Sequence, residues 1–358
     1  MKRFPSIGLL LGLLLPLITS AAEVKGIYEA EVPVADQQEE ARTAAMRSGM
    51  AEVLVRVTGY GAVAQDPALA ELLDNAPHYV QQYRYRAAPA AGTGVGAAAP
   101  LILWMAFDPN TINQVLRAHN QPVWGKARPL VLVWLAVDDG KGRRLVGAAE
   151  EGPEQQAIEA EGRRRGLPVR LPLLDLQDQS RVSAADVWGG FIDTVAAASA
   201  RYQPQAILLG RLYRDGQGGW HGRWTLRAGE ELVNWDNAAA APADVLALGV
   251  DATTDALAAR FAQLDIPEAN NLLTMRIADV GTLADYSRVL SYLKSLNGVS
   301  QVQVQAVEPD AMVCRLTLQV GAQAVARTIS LGNTLAAVAA PVAPAQPQPV
   351  ELAYRLLP

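Results

Sequence analysis

The sequence is short of the residues that most often announce a chemistry. Cys314 is the only cysteine among 358 residues, so no intrachain disulfide can form and stability must come from packed cores. Histidine occurs three times, at His78, His119 and His221, without ligand spacing, which excludes a structural zinc site of the usual Cys/His kinds. Lys and Arg (31) do not outnumber Asp and Glu (36), so the formal charge is −5 and the footprint of a nucleic-acid binder is missing. The clusters Arg143-Arg144 and Arg163-Arg164-Arg165 are surrounded by acids, including Asp138, Asp139, Glu159 and Glu161, and read as solvated faces. No G-x-S-x-G elbow is present. Gly92, Gly94 and Gly96 are followed by no Lys-Ser/Thr and open no helix, so they read as a flexible hairpin connection rather than a phosphate loop. No cofactor and no metal is assigned.

What is present begins with location. Lys2 and Arg3 precede an apolar run from Ile7 to Ile18, and Ser20-Ala21-Ala22 supplies small residues before Glu23. That is the layout of a secretory signal peptide over 1–22, too short to span a membrane. No Cys follows it, which argues against a lipid anchor. Loss of Lys2 and Arg3 takes the charge of −5 down by two, to −7. The expected location is therefore the periplasm, as a cleaved and soluble chain.

The remaining length suggests several modules. In the first, over 23–122, a strand over 24–34 leads to a helix with Asp36 as cap and Glu39 at capping-box distance. Ala45, Met46, Gly49, Met50, Val53, Leu54 and Val57 follow at helical spacing until Gly59 and Gly61 stop the run. Strands over 79–85 and 101–107 and a helix over 110–119 complete it. Pro122, Gly125 and Pro129 mark a boundary. The second module, over 128–265, reads β-α-β-α-β: strands at 130–137, 167–174 and 205–213, helices at 154–165 and 186–202. An antiparallel meander with Trp220, Trp224 and Trp235 and a closing helix over 245–264 follow. The third, over 268–335, reads as a ferredoxin-like β-α-β-β unit, with Thr282 and Asp285 capping its helix. Residues 336–358 form an Ala/Pro-rich tail whose last segment either docks back as a strand or serves as a binding motif. The fold class is thus α/β and α+β, in three small modules of mixed sheets with flanking helices.

Three constellations invite a functional reading. Trp220 and Trp224 share a strand face that Trp235 can join, which suits core packing, a partner surface or stacking on sugars. Asp138 and Asp139 follow a central strand, where an acid/base or metal role competes with that of turn residues; Asp175 and Asp178 form a second pair. Ser291 and Lys294 spell S-x-x-K, but Ser291 sits late in its helix and the companion motifs are missing. Cys314 lies in an apolar strand and reads as a buried small hydrophobe.

Five stretches together resemble a family of exported Gram-negative bacterial proteins known as a domain of unknown function. They are Tyr28-Glu-Ala-Glu-Val-Pro-Val-Ala-Asp36, Ala41-Arg42 with Val53-Leu-Val-Arg-Val-Thr-Gly59, Tyr79-Val-Gln-Gln-Tyr-Arg-Tyr85, Trp124-Gly-Lys-Ala-Arg-Pro-Leu-Val-Leu-Val-Trp134, and Ala206-Ile-Leu-Leu-Gly-Arg-Leu212 with Trp220 and Trp224. The resemblance covers about residues 24 to 335 and brings no activity, cofactor or site residue with it. The first helix also resembles the N-terminal module of a periplasmic flagellar assembly protein, and the middle module the N-terminal domain of TolB-type proteins. Both resemblances favour interaction over catalysis. The leading expectation is a non-enzymatic interaction or assembly factor with an envelope protein partner. A glycan- or peptidoglycan-binding module using Trp220 and Trp224, and a hydrolase using Asp138 and Asp139, are the alternatives.

Overall fold

The computed structural model describes residues 24–87, 101–262, 272–296, 298–332, 334–338 and 352–357. The signal-peptide segment, the 88–100 connection and most of the Ala/Pro-rich stretch lie outside the described residues. Among the described residues the strands form three separate sheets, each on its own hydrophobic core.

The first sheet is built from β1 (Glu29–Val34), β2 (Val80–Ala87) and β3 (Leu101–Phe107), with β3 in the middle and antiparallel to both neighbours. One face of β3 carries the buried Leu103, Met105 and Phe107, which share a core with Met46, Met50, Val53 and Leu54 of α1 (Glu39–Thr58). Gly49 is the contact point, since a Cβ there would strike Met105 and Ala30. Helices α2 (Ala70–Asp74) and α3 (Pro109–Ala118) close this unit. Two sequence expectations are corrected. The first strand starts at Glu29 because the chain turns at Gly26, whose φ is 66°. Asp36 does not cap α1: it accepts from the Gln38 amide (2.9 Å) and is used up in that turn, leaving Gln38 at the cap with no side-chain bond.

The central sheet starts with β4 (Val131–Asp138), buried on both faces. Around it lie β5 (Arg143–Val146), α4 (Pro153–Arg165), β6 (Val169–Arg170), α5 (Leu176–Gln179), α6 (Ala184–Gly189), α7 (Ile192–Ser199), β7 (Ala206–Arg214), β8 (Trp220–Ala228), β9 (Glu231–Ala239) and α8 (Pro242–Phe261). The order is β5-β4-β7-β8-β9, with β6 also on β4; β4 pairs parallel with β6 and β7, and β8 and β9 form the antiparallel meander. Helices α4 and α8 cover one face, α6 and α7 the other. The long helix read over 186–202 is broken in two. Ser183 and Asp186 form a capping box for α6, and Gly190 at φ 74° then ends it in a left-handed turn. The strand read over 167–174 shrinks to the two residues of β6, between Pro168 and Pro172, which have no N–H to give a ladder. β5 was not anticipated; it returns along β4 after the Asp138–Gly142 turn.

The third sheet contains β10 (Leu272–Ala278), β11 (Val299–Val307), β12 (Ala311–Leu318), β13 (Leu335–Ala337) and β14 (Leu352–Leu356), ordered β11-β12-β10-β14-β13. Helices α9 (Leu283–Ser295) and α10 (Ala322–Leu331) pack into one core with it. Thr282 and Asp285 do form the expected capping box. The strand order is the ferredoxin-like one with an added edge, but β14 runs parallel to β10 where that fold has an antiparallel pair. The cause is β13: it takes the chain along the edge after α10, and β14 returns antiparallel to it. The last segment is therefore a sheet strand and not a free motif.

Cys314 lies on β12 with no exposure, and burial pushes its thiol up to about 11. Because the thiolate is the reactive form, the folded chain is expected to resist iodoacetamide and to label fully in urea. Rapid labelling of folded protein, read by mass spectrometry, would contradict this burial.

Candidate functional site

The topology of the central sheet selects one edge. β6 and β7 flank β4 on opposite sides, and the connections through α4 and through α5–α7 run over opposite faces. The carboxyl ends of β4 and β7 are thus a topological switch point, where open α/β sheets place their ligands.

The register sets a row of side chains across that end: Arg143 on β5, Asp138 on β4, Tyr213 on β7 and His221 on β8. Trp188 of α6 lies against this row. The Arg143 guanidinium sits 4.2 Å from the Trp188 ring, Trp188 meets Tyr213 edge-on at 6.1 Å, and Tyr213 stacks on His221 at 5.5 Å and 18°. His221 Nε2 lies 2.7 Å from Asp215 Oδ2, and this bond holds the Asp215 carboxyl below its ordinary range. One row back, Arg211 donates to the Trp188 carbonyl (3.1 Å), while its Nε is buried without a partner. Burial, then the neighbouring Arg223, lowers the Arg211 guanidinium. Arg223 pairs with Asp236 (2.9 Å). Further along the same face, Arg227 holds Asp193 at the start of α7 (2.9 Å). Two large apolar side chains on this face are exposed to water: Phe191 at the α6–α7 break (57% exposed) and, opposite Arg227, Leu232 on β9 (51%).

Of the residues singled out from sequence, Asp138 falls in this row and the others lie elsewhere. Trp220, Trp224 and Trp235 do share one sheet face, with Trp224 directly opposite Trp235. It is the face under α8, and Trp224 has no exposure, so its ring is core and cannot stack on a sugar. Asp138 and Asp139 do not converge on one site. Asp138 accepts from the Gly140 amide (3.1 Å) and Arg143 (3.3 Å), Asp139 from the Lys141 amide (3.0 Å). They shape the turn. Ser291 and Lys294 are exposed on the outer face of α9. Among the described residues no three His, Cys, Asp or Glu side chains are grouped as metal ligands.

Asp175 and Asp178 form a different structure. Arg201 grips both Asp175 oxygens (2.7 and 2.8 Å) and reaches Asp178 (3.1 Å), while the buried Asp178 accepts from the Leu174 amide (3.0 Å) and the Tyr202 hydroxyl. The Arg201 bond brings Asp175 down from 3.8 to about 2. A carboxylate depressed on folding stabilises the protein above its unfolded pKa and stops doing so as pH falls through the folded one. The melting-temperature gap between the parent and Arg201→Gln is therefore expected to hold steady above about pH 4 and to close towards pH 2. A gap that persists at pH 2 would assign the effect to packing.

The ledge was hard to find in sequence because its residues are the off-phase partners of the tryptophans: Tyr213, His221 and Arg223 alternate with the core positions of the same strands. The available signal was the pairing of Arg211 and Tyr213 on β7 with Arg223 and His221 on β8, at alternate positions near one end of the two strands. Among known families, a domain of unknown function (DUF8605) matches residues 21–125, the segment holding the first sheet. No curated protein matches the chain.

Proposed function

We propose that this chain is a non-enzymatic interaction protein of the bacterial cell envelope, exported to the periplasm, that docks a protein partner on the Arg143–Trp188–Tyr213–His221 ledge. The observation that carries the reading is the ledge itself. Trp, Tyr and Arg are the side chains that anchor protein interfaces. Here they stack on one another, and the exposed Phe191 follows Trp188 at the α6–α7 break, with exposed Leu232 further along the same sheet face opposite Arg227. The sequence of residues 1–22 supports export, and the described helices include none long and apolar enough to cross a membrane. The runner-up readings have less support, since Trp224 is enclosed under α8 and Asp138 and Asp139 are engaged in a turn.

The test is photocrosslinking in intact cells with probes at Phe191 and Leu232, and a control probe at Leu283, which is 83% exposed on α9. A discrete protein adduct from the first two probes, absent from the third and lost with Trp188→Ala, is the expected result. Equal labelling at all three positions, or none at Phe191 and Leu232, would sink the proposal. Cell fractionation checks the location.

A further inference from the structure

The strand edges of this molecule are not equally guarded. An unpaired edge invites another strand unless it is short or bulged, or carries proline or cations. β5, β6 and β13 have four, two and three residues. β1 contains Pro33. β2 shifts register between Val80 and Gln82 and carries Arg84 and Arg86. β11 shifts register twice. β9 has none of these devices. It runs for nine residues, without proline, lysine or arginine, in unbroken register with β8. Apart from that ladder, no β9 backbone group has a hydrogen-bond partner among the described residues.

The side chains of β9 narrow what can pair with it. Leu232, Asn234, Asp236 and Ala238 are exposed on one face, while Val233, Trp235, Asn237 and Ala239 are half-buried on the face under α8. Asn234 accepts from the Thr225 hydroxyl on Oδ1 (2.7 Å), which leaves its amide hydrogens unspent. Asp236 accepts from Arg223 on Oδ1 (2.9 Å), which leaves Oδ2 open. A free donor and a free acceptor thus sit two residues apart on one exposed face. An antiparallel copy of the same strand, centred on Trp235, would bring each Asn234 opposite the second copy's Asp236, so the pair forms twice. In that register Leu232 meets Ala238, Trp235 meets Trp235 and Glu231 meets Ala239, and no like charges oppose each other. Centring the pair on Asp236 instead would set two carboxylates face to face, and centring it on Asn234 would set Leu232 against Asp236.

We infer that two copies of this chain join edge to edge at β9, antiparallel about a two-fold axis through Trp235, so that their central sheets become one. Such an axis stands perpendicular to the sheet, and both ledges then face the same side. The pairing needs nothing docked at the ledge and is measured on purified chain alone, so its failure would leave the ledge reading as it stands.

The experiment is sedimentation velocity on the full mature chain across a concentration series. A nine-residue edge lies at the small end of specific interfaces, so a dimer with a dissociation constant on the order of 10 μM is expected. Asn234→Asp keeps the acceptor for Thr225 and should leave the unfolding midpoint unchanged. It also sets carboxylates opposite each other at both positions, and is expected to weaken the dimer at least about tenfold. Combining Asn234→Asp with Asp236→Asn exchanges donor and acceptor and is expected to restore the parent affinity. A chain still monomeric at about 100 μM would overturn the proposal and leave this edge to a strand of another protein. A dimer indifferent to Asn234→Asp, or one that the second substitution fails to restore, would equally overturn it.

Discussion

Replacing Arg128 with methionine is expected to remove about 3–5 kcal/mol of stability. Arg128 is fully buried and meets no carboxylate in its hydrogen bonds. Its donors go to backbone carbonyls: Nε to Gly125 (3.2 Å), Nη1 to Arg165 (3.0 Å) and Gly166 (3.1 Å), Nη2 to Trp124 (3.1 Å) and Arg56. Arg56 lies in the last turn of α1, and Arg165 ends α4. The negative ends of two helix dipoles therefore converge on one guanidinium, in place of a counter-ion. Burial, with Arg56 close by, lowers this group to about 9, so it is charged at neutral pH. Methionine would keep much of the volume and leave these carbonyls without donors, each costing about 1–3 kcal/mol before relaxation. Lysine should recover little, because an ammonium cannot reach both helix ends as a planar fork does. Urea unfolding monitored by circular dichroism measures the loss. Since α1 belongs to the first unit and α4 to the second, the variant is also expected to unfold in two steps where the parent unfolds both units together. A loss below about 1 kcal/mol would mean that water replaces the guanidinium.

Trp224→Ala comes next, at about 3–5 kcal/mol, from lost burial and the cavity left behind. Three glycines make the slot for this one ring: Gly210 on β7, Gly222 on β8 and Gly249 on α8 each approach it so closely that an added Cβ would collide. The indole N–H donates to Asn237 Oδ1 (3.1 Å), whose amide in turn holds the Val245 carbonyl of α8 (3.0 Å). The ring thus locks the helix to the sheet. Gly249→Ala attacks the same contact from the other side, and overpacking should cost about 1–3 kcal/mol, with α8 lifted. Thermal unfolding of both variants checks this. A folded Trp224→Ala protein that had lost glycan binding would return the tryptophan face to a functional role.

The difference between what the sequence disclosed and what it hid has a physical pattern. Elements whose signals are local were legible. β4 is an unbroken apolar run, α1 has its helical spacing, and Thr282 with Asp285 writes a capping box in four residues. Asp36 misled because an identical side chain serves an Asx turn two residues away as readily as a helix N-terminus. The tryptophan triplet was read on the right face, but whether a face is open depends on α8, and no periodicity within β8 reports that. The ledge needed still more. Arg143, Trp188, Tyr213 and His221 come from four elements and meet only through strand register and the Gly190 break, which are tertiary facts.

The placement of β14 has a consequence for the order of assembly. This strand lies between β10 and β13, yet it follows β10 by a long stretch of chain. Until it arrives, β10 offers one unpaired edge, and the Tyr354 and Leu356 side chains of β14 have yet to enter the core. Closing so distant a parallel pair is slow compared with forming α9 or the β11–β12 hairpin. During that interval the vacant edge does not distinguish its own β14 from that of a neighbouring copy. Chains folding at high local concentration can therefore exchange this strand, and dilution favours the self-closed form.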